Sequence, residues 1–164
     1  MYEEQFMQRA VELSRQALED PGSEPFGAVV VKDGAIVGEG LNRMWTRWDP
    51  TSHGEIEAIR DACRRLGSLD LSGGAVYTSC EPCPMCVATM IATGIGALYY
   101  GASLGQSSGI LGSLASRRKR PFTIEGMRAE VGLPVDQRRM PAAQKLDGAA
   151  VAILEAWVAQ RLRA

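Results

Sequence analysis

No Asp, Glu, Lys or Arg occurs between Pro82 and Ser116. A chain that withholds charge for so long is expected to bury that stretch, either in lipid or inside protein. Lipid is excluded by composition. A spanning helix needs roughly 20 predominantly apolar residues, and this run is interrupted by Pro84, Gly94, Gly96, Gly101, Gly105, Gly109 and Gly112. The stretch is therefore expected to form buried α/β interior, with no membrane partner. The chain has 164 residues, 46% of them hydrophobic and 23% charged, which is enough for one packed domain spanning 1–164. Its 18 Lys+Arg nearly cancel its 19 Asp+Glu, for a net charge of -1. Such a balance gives no bulk attraction to nucleic acid or anionic membranes. The opening MYEEQFMQRA is too acidic and polar for a secretory signal, which predicts a cytoplasmic location.

Periodicity supplies the elements around this stretch. Phe6, Ala10, Leu13, Ala17 and Leu18 recur at helical steps, so residues 3–19 read as an amphipathic helix. FGAVVVK and AIVGEG flank Asp33-Gly34, a strong hairpin signal. Residues 41–52 read as a loop carrying Trp45 and Trp48. A second helix is expected near His53, with Ser52 and Glu55 at the spacing of a capping box and Ile56, Ile59, Cys63 and Leu66 as its apolar stripe. AVYT (75–78) and ALYYG (97–101) read as strands, separated by a helix that starts at Pro84 and stops at Gly94. The glycine- and serine-rich segment 104–112 reads as loop. Ala143, Leu146, Ala150, Ile153, Trp157 and Leu162 predict a closing C-terminal helix. The alternation of strands and helices argues for a sheet between two helix layers.

The chemistry is carried by His53-Gly54-Glu55 and by Pro82-Cys83-Pro84-Met85-Cys86. The chain has one histidine and four cysteines, so any site needing two imidazoles from one chain is excluded. One imidazole and two thiolates suit Zn²⁺, and three protein ligands leave a fourth position open, as catalytic rather than structural sites do. Both ligand groups fall at predicted helix starts, where partial positive charge stabilises thiolates. Glu55 follows the imidazole by two positions. Such residues diverge in mid-helix, but in a first turn both reach one cavity, where a carboxylate can move protons.

The H-x-E and P-C-x-x-C motifs together are the signature of zinc deaminases. From Phe26 to Gly112 the chain resembles the cytidine deaminase-like superfamily. FGAVVVKDG, Asn42, DPTSHGEIEAIR and YTSCEPCPMC are most similar to its bacterial guanine deaminase branch. The His-Gly-Glu spelling is also similar to fungal-type cytosine deaminase, and EPCPMC with GASLGQSSGILGSL to tRNA adenosine deaminases. The resemblance implies a three-layer α/β/α sandwich around a mixed five-stranded sheet, and a homodimer. It implies zinc held by His53, Cys83 and Cys86, with Glu55 as proton shuttle. By the same match His53 and Asn42 meet the base, Asn42 by a hydrogen bond, and Phe26 walls the pocket. It implies a hydrolytic deaminase releasing ammonia from a free nucleobase or related amino-heterocycle, guanine above the others.

One departure stands out. The guanine branch carries a second acid after the last core strand, whereas here Gln106, Ser107 and Ser108 occupy that region. Plainer roles compete at several positions. Cys83 and Cys86 also have the spacing of a redox pair, but that leaves His53-x-Glu55 unexplained. Asn42 also suits a turn. Cys63 and Cys80 read as packed thiols. Trp45 and Trp48 suit base stacking or a dimer contact. Residues 114–145 hold eight Lys/Arg against three acids, so Arg117–Arg120 keeps a tRNA-editing adenosine deaminase as the alternative, with RNA as partner. A non-catalytic zinc-binding relative is the third reading.

Overall fold

The computed structural model describes residues 1–112 and 123–162. These form two compact bodies, one of residues 1–112 with 123–124 and one of residues 125–162. The first body holds a four-stranded mixed sheet in the order β2-β1-β3-β4. Its strands are β1 (Glu24–Lys32), β2 (Ala35–Asn42), β3 (Ala75–Cys80) and β4 (Ala97–Ala102). β1 pairs antiparallel with β2 and β3, while β3 and β4 run parallel. The sheet class matches the expected sandwich, with four strands among the described residues where five were expected.

The hairpin forms where the sequence places it. Asp33 and Gly34 both take positive φ, 53° and 74°, the backbone that a two-residue turn matched to strand twist requires. Successive β1 residues then face opposite layers. Val29 and Val31 pack with Phe6, Ala10 and Leu13 of α1 (Glu4–Arg15), while Ala28 and Val30 pack with Ile56, Ala58, Ile59 and Ala62 of α3 (Gly54–Leu66). A parallel β3–β4 pair needs a crossover, and α4 (Pro84–Ala92) provides it, burying Cys86 and Met90 in the α3 layer.

Glycines set how closely α3 approaches the sheet. A Cβ at Gly40 would meet the carbonyl of Gly54 and the amide of Ala58, and one at Gly38 would meet the carbonyl of Ala58. The helix therefore lies with its backbone directly on β2, and its first turn stands at a defined height above the strand ends.

Three expectations need correction. Residues 104–112 are largely helical: α5 (Leu104–Leu111) starts from a full capping box in which Ser103 and Gln106 serve each other's backbone. That cap outweighs the helix-weakening glycines inside it. Ser52 does not cap α3. His53 occupies that position, and the Ser52 hydroxyl instead donates to Glu57 at 3.0 Å. Lastly, the charge-free stretch is only partly interior. Ile91, Leu98, Tyr100 and Ile110 are exposed, because β4 is an edge strand and the outer sides of α4 and α5 face outward.

Between β2 and α3 lies a short helix, α2 (Met44–Arg47). The second body holds α6 (Ile124–Val131), apart from its first residue, and α7 (Asp147–Arg161). The C-terminal helix is where periodicity put it, and its Val151, Ile153, Leu154, Trp157 and Val158 are exposed. No helix among the described residues is long and apolar enough to cross a membrane.

Candidate active site

Two helix starts converge on one buried point. His53 is the N-cap of α3 and Cys83 the N-cap of α4, with Pro84 at the first helical position. Proline suits that position because its missing N–H would have no helical partner. Cys86 follows in the first turn of α4. His53, Cys83, Cys86 and Glu55 are all buried, Cys86 completely.

The donor atoms already have the spacing of a metal shell. His53 Nδ1 lies 3.6 Å from Cys83 Sγ and 3.5 Å from Cys86 Sγ, and the two sulfurs are 3.6 Å apart. For tetrahedral zinc with Zn–S of about 2.3 Å and Zn–N of about 2.0–2.1 Å, neighbouring donors sit roughly 3.5–3.8 Å apart. The residues therefore fit the ion without rearrangement. Among the described residues His53, Cys83 and Cys86 are the one cluster of His, Cys, Asp and Glu able to hold a metal.

Glu55 joins this cluster as the first-turn geometry predicts. Its Oε2 accepts from Cys86 Sγ at 3.5 Å, and its Oε1 lies 3.4 Å from Thr78 Oγ1. Burial pushes the Glu55 carboxyl above its ordinary range, with the backbone hydrogen bond and His53 opposing and Cys83 adding to the rise. The hydrogen bond with Cys86 brings Cys83 down to about 4 against its burial, and His53 also lowers it. The same sulfur–sulfur bond, with burial, pushes Cys86 up. Both sulfurs must be deprotonated to bind a metal.

The residues that the resemblance puts on the substrate side, Phe26 and Asn42, lie near the start of α3. Phe26 is half-buried, and its backbone carbonyl abuts Gly54, where a Cβ would collide with it. Asn42, at the end of β2, is 2% exposed. It is tied to the His53 side of the site by the next residue, whose N–H (Arg43) donates to the Ser52 carbonyl at 3.0 Å. Trp45 donates its indole N–H to Glu24 at 2.9 Å, whereas Trp48 is exposed at a positive φ. Gln106, Ser107 and Ser108 do local work in α5: Gln106 in the cap, Ser107 bonding Leu104 O, Ser108 bonding Gly105 O. Cys63 packs half-buried against the core, and burial raises the Cys80 thiol. Arg117–Arg120 lies outside the described residues.

Three residues escaped the sequence reading. Thr78, fully buried, stands beside Glu55; a hydroxyl ending a buried strand that leads to ligands was the available signal. Glu57 accepts from Ser52 and Arg60 and pairs with Arg47, which clamps the loop before His53. Burial pushes its carboxyl up, but Arg60, Arg47 and Ser52 outweigh that and hold it low. Glu24, the third, contacts Asn42; nothing in its spacing marked it.

This fold with this donor set defines a zinc hydrolase of the deaminase type, and the chain belongs to the cytidine and deoxycytidylate deaminase zinc-binding family, whose model matches residues 1–102. It is 38% identical to guanine deaminase of Bacillus subtilis over 144 residues, 88% of this chain and 86% of that one. The solved structure of guanine deaminase from that species superposes with a TM-score of 0.79 at 36% identity, covering 96% of this chain and 94% of the other. A tRNA-specific adenosine deaminase of Aquifex aeolicus is 34% identical over 68% of this chain and 73% of its own length. Guanine deaminase from Nitrosomonas europaea aligns at 27% identity and a TM-score of 0.58, over 76% of this chain and 70% of that one. The chain is thus a zinc-dependent hydrolytic deaminase acting on C–N bonds of nucleobases.

Proposed function

We propose that the free base is guanine or a close amino-oxo heterocycle, and that Glu55 is the catalytic acid–base. The observation that carries this reading is the ready-made cluster of His53, Cys83, Cys86 and Glu55, in a chain that is alignable with a guanine deaminase over nearly its whole length. His53, Cys83 and Cys86 would hold zinc, which when bound would supply a Lewis acid able to bring the pKa of water to about 7. Glu55 takes a proton from the water and delivers it to the exocyclic nitrogen. Water oxygen adds to the ring carbon, the C–N bond breaks, and ammonia leaves with the electron pair. Phe26 walls the pocket, and Asn42 and His53 meet the base.

Guanine is expected to yield ammonia and xanthine in a panel that includes cytosine, adenine, nucleosides and tRNA. Release from a tRNA adenosine with a steep loss of binding on added salt, and none from guanine, would establish the RNA-editing reading instead.

We propose further that both bodies serve one deaminase unit, that it works in the cytoplasm, where its thiols stay reduced, and that it is a homodimer. The uncharged, exposed Ile91, Leu98, Tyr100 and Ile110 support a contact between copies. Sedimentation equilibrium is expected to give twice the chain mass; a monomer at micromolar concentration overturns the dimer.

A further inference from the structure

We infer that Glu24 sets the hydrogen-bond polarity of Asn42, so that Asn42 meets the bound heterocycle as a donor and selects a carbonyl over an amino group at that edge. This rests on the substrate role proposed above for Asn42.

Glu24 and Asn42 face each other in the β1–β2 ladder, just before the register shift that carries the chain through Phe26. Both are buried, Glu24 at 9% exposure. The contacts form a one-way chain. Trp45 Nε1 donates to Glu24 Oε1 at 2.9 Å, Asn42 Nδ2 donates to Glu24 Oε2 at 3.3 Å, and Met44 N–H donates to Asn42 Oδ1 at 3.1 Å. An indole N–H and a backbone N–H only donate, and a carboxylate only accepts. Turning the Asn42 amide over would set its oxygen against the carboxylate and its NH₂ against the Met44 N–H. Both contacts become repulsive at once, so a single orientation survives.

That orientation decides what the base must offer. Asn42 Oδ1 is turned to the Met44 backbone, from which it accepts, and Nδ2 keeps a second hydrogen beyond the one given to Glu24. A heterocycle with a carbonyl oxygen at this edge, like the 6-oxo group of guanine, completes the set. One with an amino group there places donor against donor, and sites built for one hydrogen-bond polarity reject the wrong one strongly. Trp45 is part of the device because its indole holds the carboxylate in place.

The test compares guanine with 2,6-diaminopurine, which replaces the 6-oxo group by an amino group. Glu24→Gln retains shape but cannot accept from both Asn42 and Trp45. It is expected to lower the kcat/KM preference for guanine over 2,6-diaminopurine by about tenfold, mainly through KM for guanine, the size expected for one hydrogen bond. Trp45→Phe is expected to move the preference the same way by less. In an Asn42→Ala background Glu24→Gln is expected to add nothing, since it acts through that amide. If Glu24→Gln does not fold, as judged by circular dichroism, Trp45→Phe decides.

A preference unchanged in the folded variants overturns the inference, as does a parallel fall for both substrates or additivity with Asn42→Ala. Asn42→Ala with unaltered guanine kinetics removes the substrate role of Asn42, and the inference with it. The functional reading fails separately, on absence of ammonia release from guanine by the unaltered protein.

Discussion

Glu55→Ala is expected to reduce ammonia release by roughly 10²–10⁴-fold, the contribution typical of a positioned general acid–base, while one zinc per chain remains bound. The two halves of this expectation come from different atoms. Zinc is to be held by His53 Nδ1 and the sulfurs of Cys83 and Cys86, which are mutually spaced at 3.5–3.6 Å without help from the carboxylate. Glu55 only touches the edge of that set, through Cys86 and near Thr78. Truncation also removes a buried polar group, which limits the stability cost: Cys86 and Thr78 lose a partner, but Thr78 still donates to the Cys80 carbonyl at 3.1 Å. Metal analysis alongside single-turnover kinetics separates the roles. A zinc-loaded Glu55→Ala protein with an undiminished rate would remove the proton-shuttle assignment, and loss of zinc with loss of rate would make Glu55 a determinant of the metal site instead.

The parts of this site legible in the sequence were those set by local rules. Pro84 marks the start of α4, and the C-x-x-C spacing then puts Cys83 at the cap and Cys86 in the first turn. Asp33-Gly34 marks the hairpin, and the apolar pattern of β1 alternates between layers as a strand must. His53 and Glu55 converge because a first turn lets neighbours i and i+2 reach inward, and Cys86 meets both.

What stayed hidden depends on pairing between distant segments. Glu24 reads as an acid before a strand, and only the ladder shows that it faces Asn42. Ser52-x-x-Glu55 has cap spacing, yet tertiary demand turns Glu55 into the site and leaves Ser52 to Glu57. Segment 104–112 looks like loop by composition, yet the Ser103–Gln106 capping box starts a helix there despite its glycines. Lack of charge suggests interior for the stretch from Pro82 onward, but it equally suits an apolar outer face such as that of Ile91, Leu98, Tyr100 and Ile110. Pattern alone does not distinguish a core from an interface.

Cys86→Ala is expected to abolish both zinc binding and turnover, and to remove the stabilisation that zinc confers. Cys86 is the hub of the cluster: it is fully buried and in contact with His53, Cys83 and Glu55. Without it two donors remain, too few for the three-ligand set of a catalytic zinc centre. An ion that binds only the folded state stabilises by about 2.7 kcal/mol at a hundred times its dissociation constant. For a chain of this length that corresponds to roughly 5–10 °C in Tm. The truncation also leaves a small cavity and frees Glu55 from one partner, so a fall in Tm alone would not identify the cause. Chelation does. Dipicolinate is expected to lower the Tm of the unaltered protein by that amount and leave Cys86→Ala where it is, because the variant has no ion to lose. Cys63→Ala, at a half-buried position on the outer stripe of α3, is expected to retain zinc, activity and the response to chelator. A Cys86→Ala protein that still binds one zinc per chain and deaminates would show that the cluster is not the metal centre, and its melting response to chelator would then match that of the unaltered chain.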